Sequence, residues 1–441
     1  MNIINEKMVL DFYLSEIDKD SILFLKNKPW YKEDISKEII KLREETEMHK
    51  KIKICKSLWK LLFEASMSFI DPDRRGYDDL FGYFDEYVSF EELIFASDSF
   101  YRDHTMHCLW VYFLGEYIIK NDEFNSFFNK YGTENAEIRK ICAMLKESKY
   151  SELFQGLIDL EDLISVVDEY NDSLRCLTSL THDLGYPIKK IDSINKNIKN
   201  ILPHFGIKNF SEFDFSYSDI HDNFIKDFLN YISYSFSFSN DSNKQLDKIL
   251  NRIFIINENS LSGLNEEELL TLTEEEKEVL KDNKLNLELI FNYSLHMRYS
   301  KDFENYEHGI MSAFLLFRKL TAFTNNDFSY SDYKTLRIDR VTYIKMNILT
   351  AILRAITDHN SEGFQMSEIT SDSCFLTFID ELEEFSRISR ANQNRQYINE
   401  FCKSNIYCEE GFMNIDFTFC IFGNRTFINK SKGIEFIVCC N

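Results

Sequence analysis

Five strongly apolar segments of this chain each carry a histidine or an aspartate at or near one end. His107 opens HTMHCLWVYFLG, and His182 with Asp183 closes CLTSLTHDLGYP. His308 begins EHGIMSAFLLF, His359 ends ILTAILRAITDHN, and Asp380 lies within CFLTFIDELEEF. Apolar residues recur at helical spacing from Leu58 to Met67, Cys108 to Ile119, Leu174 to Leu180, Met311 to Phe323 and Thr342 to Ile356. A helix patterned in this way buries its stripe and can hold a polar head at its end, beside a cavity that water reaches. The spacing predicts a mainly α fold with metal-ligating side chains at its helix ends.

Composition narrows the class of protein. With 44% hydrophobic and 15% aromatic residues, the chain has the material for a large packed core rather than a disordered segment. Its formal charge of -22, from 73 acidic and 51 basic residues, works against duplex nucleic acid and anionic lipid surfaces. Long nucleic acids are therefore not expected as partners. A small phosphorylated substrate needs local cations to override that field, and bound divalent metals would supply them. The 10 cysteines show no CxxC spacing, and Cys439 and Cys440 are vicinal, which does not suit a disulfide framework. The opening MNIINEKMVLDF lacks a signal pattern, and Glu116 interrupts the longest apolar run, Cys108 to Ile119. A cytoplasmic protein without membrane spans is expected.

Along the chain, residues 1–97 read as an N-terminal helical layer and residues 98–390 as the core. An accessory insertion is expected at about 195–292, where Ser, Phe and Tyr alternate from Ser233 to Ser239 and an acidic helix is predicted from Glu266 to Leu280. Residues 391–441 change to a period of two. Ile415, Phe417, Phe419 and Ile421 alternate with polar neighbours, Gly423-Asn424 marks a turn, and Ile434 to Cys440 reads as a second strand. A small C-terminal antiparallel sheet is expected. The sequence stops inside that strand pattern, so a truncated C-terminus is also expected.

Each polar helix end has an ordinary explanation when taken alone. A single histidine there is more often a cap or a satisfied core group, and a His-Asp dipeptide is common by chance. Asp380 alone would pass for part of a solvated acidic face. The joint pattern is what points to chemistry. Imidazole and carboxylate together suit zinc, iron or manganese, and mixed sets suit pairs of ions. Adjacent His and Asp can offer two ligands from one helical turn, and a carboxylate can bridge two ions that share a water.

This ordered set resembles the HD-domain superfamily of metal-dependent phosphohydrolases, in its binuclear, phosphodiesterase-like branch. His107 followed by Val111 matches the family's first helix, and THDLGYP with Gly185 matches its defining element. EHGIMSAFLL and AITDHN are similar to two further histidine elements, and FLTFIDELEEFSR to the closing aspartate element. The resemblance covers roughly Asp98 to Arg390, with Asn195 to Asn292 unmatched. It implies a helical HD-domain core with added helical layers. It also implies one or two divalent ions, Mn, Fe, Zn or Mg. His107, His182, Asp183 and Asp380 would hold the first ion; His308 and His359 would hold the second, with Asp183 as the bridge. LGYP here is not the HD-GYP signature, whose GYP lies far downstream of the HD pair, so the subfamily stays open.

Cations and a proton carrier complete the expected site. Arg102, Lys189 and Lys190 are candidates for gripping phosphate oxygens, with Arg318 and Arg387 weaker ones. His104 shares a helix face with His107 if that helix starts early. Asp183, His104, Arg102 and Lys189 are the expected catalytic set. The implied reaction is hydrolysis of a phosphate ester of a nucleotide or related small molecule by metal-bound hydroxide. Two alternatives stand beside it: an HD-fold di-iron oxygenase, and a non-catalytic HD regulatory or binding module. Association into a homo-oligomer stays open.

Overall fold

A computed structural model describes residues 4–95, 100–128, 131, 146, 155–207, 209–211, 219–240, 273–275, 285–324, 335–366, 368–389, 402–409 and 412–419. The fold is mainly helical. Helices α1 (Glu6–Asp18), α2 (Pro29–Glu44), α3 (Met48–Ile70) and α4 (Tyr77–Phe95) come first. Asn5 caps α1 by accepting from the Met8 amide, and Pro29 opens α2, where a missing N–H costs nothing. A three-residue strand, β1 (Phe100–Arg102), then leads into α5 (His104–Lys120). Asp103 caps α5 through the Met106 amide at 2.9 Å, so this helix begins one turn before His107.

The middle of the chain adds α6 (Gln155–Asp168), α7 (Asn171–Thr181), α8 (Tyr186–Ile201), α9 (Asp219–Ser233) and strands β2 (Tyr234–Asn240) and β3 (Leu285–Phe291). Then follow α10 (Tyr293–Glu304), α11 (His308–Lys319), the short α12 (Thr321–Thr324), β4 (Thr335–Ile338), α13 (Arg340–Asp358), α14 (Asp372–Leu382), β5 (Arg387–Ser389), β6 (Cys402–Glu409) and β7 (Phe412–Phe419). The apolar run Met311 to Phe323 is thus divided at Leu320 between α11 and α12.

Helix α7, which leads into the His-Asp pair, is the centre of the packing. It touches α3, α5, α13 and α14, and every residue from Asp172 to Thr181 is buried. Its polar groups are satisfied within the core. Thr178 and Thr181 donate to carbonyls one turn back, and Trp59 of α3 donates its indole N–H to Leu180 at 2.7 Å. At the other end, Arg175 donates to Glu116 of α5 at 2.6 Å and also pairs with Asp172. Lys120 reaches Asp172 at 3.2 Å, and the Leu23 amide donates to the same carboxylate. Burial of Glu116, Asp172 and Arg175, with Lys120 half-buried beside them, is tolerable only because each is paired and hydrogen-bonded.

Among the described residues, three small antiparallel sheets flank the helices. In the first, β1 pairs with β5 and Arg102 lies directly opposite Arg387. In the second, β2, β3 and β4 form an ordered meander. The Ser/Phe/Tyr alternation is therefore a strand, and β3, at the end of the 195–292 stretch, pairs with β4 from beyond it. The third sheet joins β6 and β7, with Ile406 opposite Ile415. A small antiparallel sheet is therefore present in the C-terminal segment, with the strand before Ile415 as a partner. Only Glu410 and Gly411 separate the two strands, a connection short enough for a hairpin. Gly423, Asn424 and Ile434 to Cys440 lie outside the described residues, as does the Glu266 to Leu280 stretch except 273–275.

Two glycines let the helix ends converge. A Cβ on Gly185 would stand 2.6 Å from Met311 Cβ and 2.6 Å from the Ser312 amide. One on Gly309 would stand 2.5 Å from the Ile356 carbonyl and 2.9 Å from His359 Cε1. Overpacking of this kind typically costs about 1–3 kcal/mol. Gly185→Ala should therefore lower the thermal unfolding midpoint by several degrees, whereas alanine at Gly82, where a Cβ meets nothing within 4 Å, should not.

Candidate metal centre

Four histidines arrive from four helix ends. His107 lies in the first turn of α5, His308 opens α11, and His182 and His359 are the C-caps of α7 and α13. The two C-cap histidines use the same device. His182 Nδ1 lies 2.8 Å from the Ser179 carbonyl and His359 Nδ1 lies 2.6 Å from the Ile356 carbonyl, each three residues back. Carbonyls in the last turn lack intrahelical partners, so they accept the Nδ1 proton and leave Nε2 with its lone pair. Glu383 does the same for His107, placing Oε2 2.6 Å from Nδ1.

The Nε2 atoms then face one another across carboxylates. His107 Nε2 stands 3.3 Å from His182 Nε2 and 2.7 Å from Asp380 Oδ1, and His182 Nε2 stands 3.3 Å from Asp183 Oδ2. On the other side, His308 Nε2 lies 3.0 Å from His359 Nε2 and 3.3 Å from Asp183 Oδ1, while His359 Nε2 is 3.9 Å from that oxygen. Asp183 therefore turns one carboxylate oxygen toward each imidazole pair. Among the described residues, three sets of ligand atoms fall within 4.8 Å: His107, His182 and Asp380; Cys108, His182 and Asp183; and Asp183, His308 and His359.

This donor set fits a cation. With the Nδ1 protons of His107, His182 and His359 committed outward, the inward atoms are lone pairs and carboxylate oxygens. Such a convergence is repulsive unless positive charge occupies it. Protonation alone meets the demand only in part. Burial disfavours charge on His182, yet Asp183 and Cys108 outweigh it and push its pKa well above the usual imidazole range. Burial likewise opposes ionisation of Asp183 and Asp380, but the neighbouring imidazoles hold both carboxyls well below the ordinary range. His308 differs: burial dominates and pulls it down to about 3, and burial also lowers His359. Both of those imidazoles are neutral at pH 7 and available as ligands.

The other expected residues divide. His104 sits beside the centre, with Nδ1 2.7 Å from Glu91 Oε2 and its ring 4.0 Å from that of Tyr186. Arg102 and Arg387, far apart in sequence, become register partners in the β1–β5 ribbon next to α5. Lys189 instead pairs with Glu307 at 2.8 Å, and Lys190 lies over the Tyr186 ring at 4.7 Å. Arg318 is exposed near the end of α11. Asp358, although next to His359, is engaged by Arg298, Tyr299 and Ser373.

Four contributors escaped the sequence reading. Glu383 belongs to the acidic run after Asp380 that looks like a solvated face, yet it is 0% exposed and bonded to His107. Its spacing of three from Asp380 is the signal that was there to be used. Glu91 and Cys108 carry no local signal. Asn360 follows His359, accepts from the Gly309 amide at 3.1 Å and contacts His308 Nδ1 at 2.9 Å.

Comparison of the chain with protein-family models, with curated proteins and with solved structures finds no match. The geometry yields two expected outcomes by elemental analysis of purified protein. Asp183→Asn should lose bound divalent metal altogether, whereas His308→Ala should retain the ion on the His107 side. Glu383→Gln should keep the fold but weaken metal affinity by roughly 10–100-fold, the usual cost of removing a carboxylate behind a ligating histidine.

Proposed function

We propose that this protein is an HD-type metal-dependent phosphohydrolase that cleaves a phosphate ester of a nucleotide or related small molecule. The observation that carries the reading is the orientation of Asp183, one oxygen toward the His107–His182 pair and the other toward His308–His359. His107, His182, Asp183 and Asp380 would hold one divalent ion, and Asp183, His308 and His359 a second. Ions bound there supply Lewis acidity, polarising a phosphoryl oxygen and lowering the pKa of water.

The chain's own residues supply the rest. Glu91 fixes the His104 imidazole through Nδ1. Burial works against a charge on His104, but Glu91, and behind it Asp183 and Asp103, outweigh burial and raise its pKa. The raised pKa favours the protonated form of His104, whose role in this reading is to deliver a proton from Nε2 to the departing oxygen. Tyr186 packs between the His104 and His308 rings, at 4.0 and 5.6 Å, and keeps the two at a fixed separation. Arg102 and Arg387 are Cα partners in the β1–β5 ribbon, and two arginines at one register position make it the place for the substrate's phosphate in this reading. Lys189, paired with Glu307, is a less suitable anchor.

Turnover of a panel of nucleotides and aryl phosphates with Mn, Zn, Fe or Mg tests this directly. Phosphate-ester hydrolysis that needs added metal is the expected result. Oxygen consumption by the iron form without hydrolysis would replace the proposal with an oxygenase. His104→Ala should lower kcat by about 10²–10⁴ with metal content unchanged. Because the raised pKa keeps His104 protonated until pH climbs through it, the wild-type rate should fall on the alkaline side, and this limb should vanish in the variant.

A further inference from the structure

Cys108 follows His107 in the first turn of α5 and is 2% exposed. Its Sγ, a ring nitrogen of His182 and a carboxylate oxygen of Asp183 lie within 4.8 Å of one another. Other buried cysteines of the core are placed differently. Cys176, for example, leans on the Leu62 carbonyl at 3.9 Å, as an ordinary apolar thiol does. The Tyr87 hydroxyl on α4 is also buried with no hydrogen-bond partner among the described residues, and burial, Glu91, Cys108 and Asp183 together raise its pKa.

We propose that Cys108 Sγ is a ligand of the first metal position, together with His182 and Asp183, and that it tunes the centre to a thiophilic ion. This rests on the metal-centre reading and narrows it. A soft sulfur donor favours Zn, Co or Fe over Mg, which prefers an all-oxygen octahedron. On binding, the thiol proton leaves to bulk water and the sulfur donates an electron pair to the ion; no oxidation state changes.

The test is the electronic spectrum of the full chain loaded with Co(II). Wild-type protein should show visible d–d bands and a near-ultraviolet sulfur-to-cobalt charge-transfer band. Cys108→Ser should keep the d–d bands and lose the charge-transfer band, while Cys176→Ser keeps both. The serine variant should also shift the metal preference from Zn toward Mg. X-ray absorption at the cobalt edge needs no variant and should show a sulfur neighbour at about 2.3 Å, the distance typical of a zinc-type thiolate bond. Visible bands without sulfur scattering or charge transfer would overturn the role of Cys108 and leave the metal centre standing. Failure to bind cobalt at all would overturn both.

Discussion

A carboxylate that faces two imidazole pairs at once leaves a chain few ways to fold. Asp183 Oδ2 lies 3.3 Å from His182 Nε2, and Oδ1 lies 3.3 Å from His308 Nε2. The turn after α7 must then sit within one side chain of the start of α5, the start of α11 and the end of α13. Much else in the core serves that meeting. Gly185 and Gly309 remove the side chains that would hold α11 away. Ser312 ties the two parts together, donating to the His182 carbonyl at 2.6 Å and accepting from the Gly185 amide at 2.7 Å.

The opposite end of α7 has its own lock. Arg175 and Asp172 pair with Glu116 and Lys120 of α5, so the two helices are fixed at both ends. A buried ionic network is a poor source of net stability, since desolvation offsets most of its attraction. Its use here is register. A one-residue slip of α7 along α5 would break Arg175 from Glu116 and carry His182 away from His107 together. At the metal end the charges are unbalanced without a cation, with Asp183 and Asp380 both ionised. Metal affinity and folding stability should therefore be coupled.

How much of this was legible in the sequence follows from where each residue's partners lie. Apolar periodicity found the helices around Leu58–Met67, Cys108–Ile119, Leu174–Leu180 and Thr342–Ile356, because a buried stripe is a local property. The helix-end histidines stood out because each stands at the beginning or the end of an apolar run. Glu383 was hidden, since an acidic residue after Asp380 has the same local appearance in solvent as in the core. The pairing of Arg102 with Arg387 depends on a strand contact between distant segments, and no local pattern encodes it. The Ile415 strand was legible from its period of two, whereas its partner Cys402–Glu409 was not singled out in the sequence.

Anomalous diffraction from crystals of the metal-loaded chain, recorded on both sides of the metal's absorption edge, tests the centre most directly. Two peaks roughly 3.5–4 Å apart are expected, the spacing of shared two-metal sites. Each should lie within bonding distance of a different oxygen of Asp183. Peaks bound elsewhere, or none after saturation with zinc and manganese, would contradict the bridging role of Asp183.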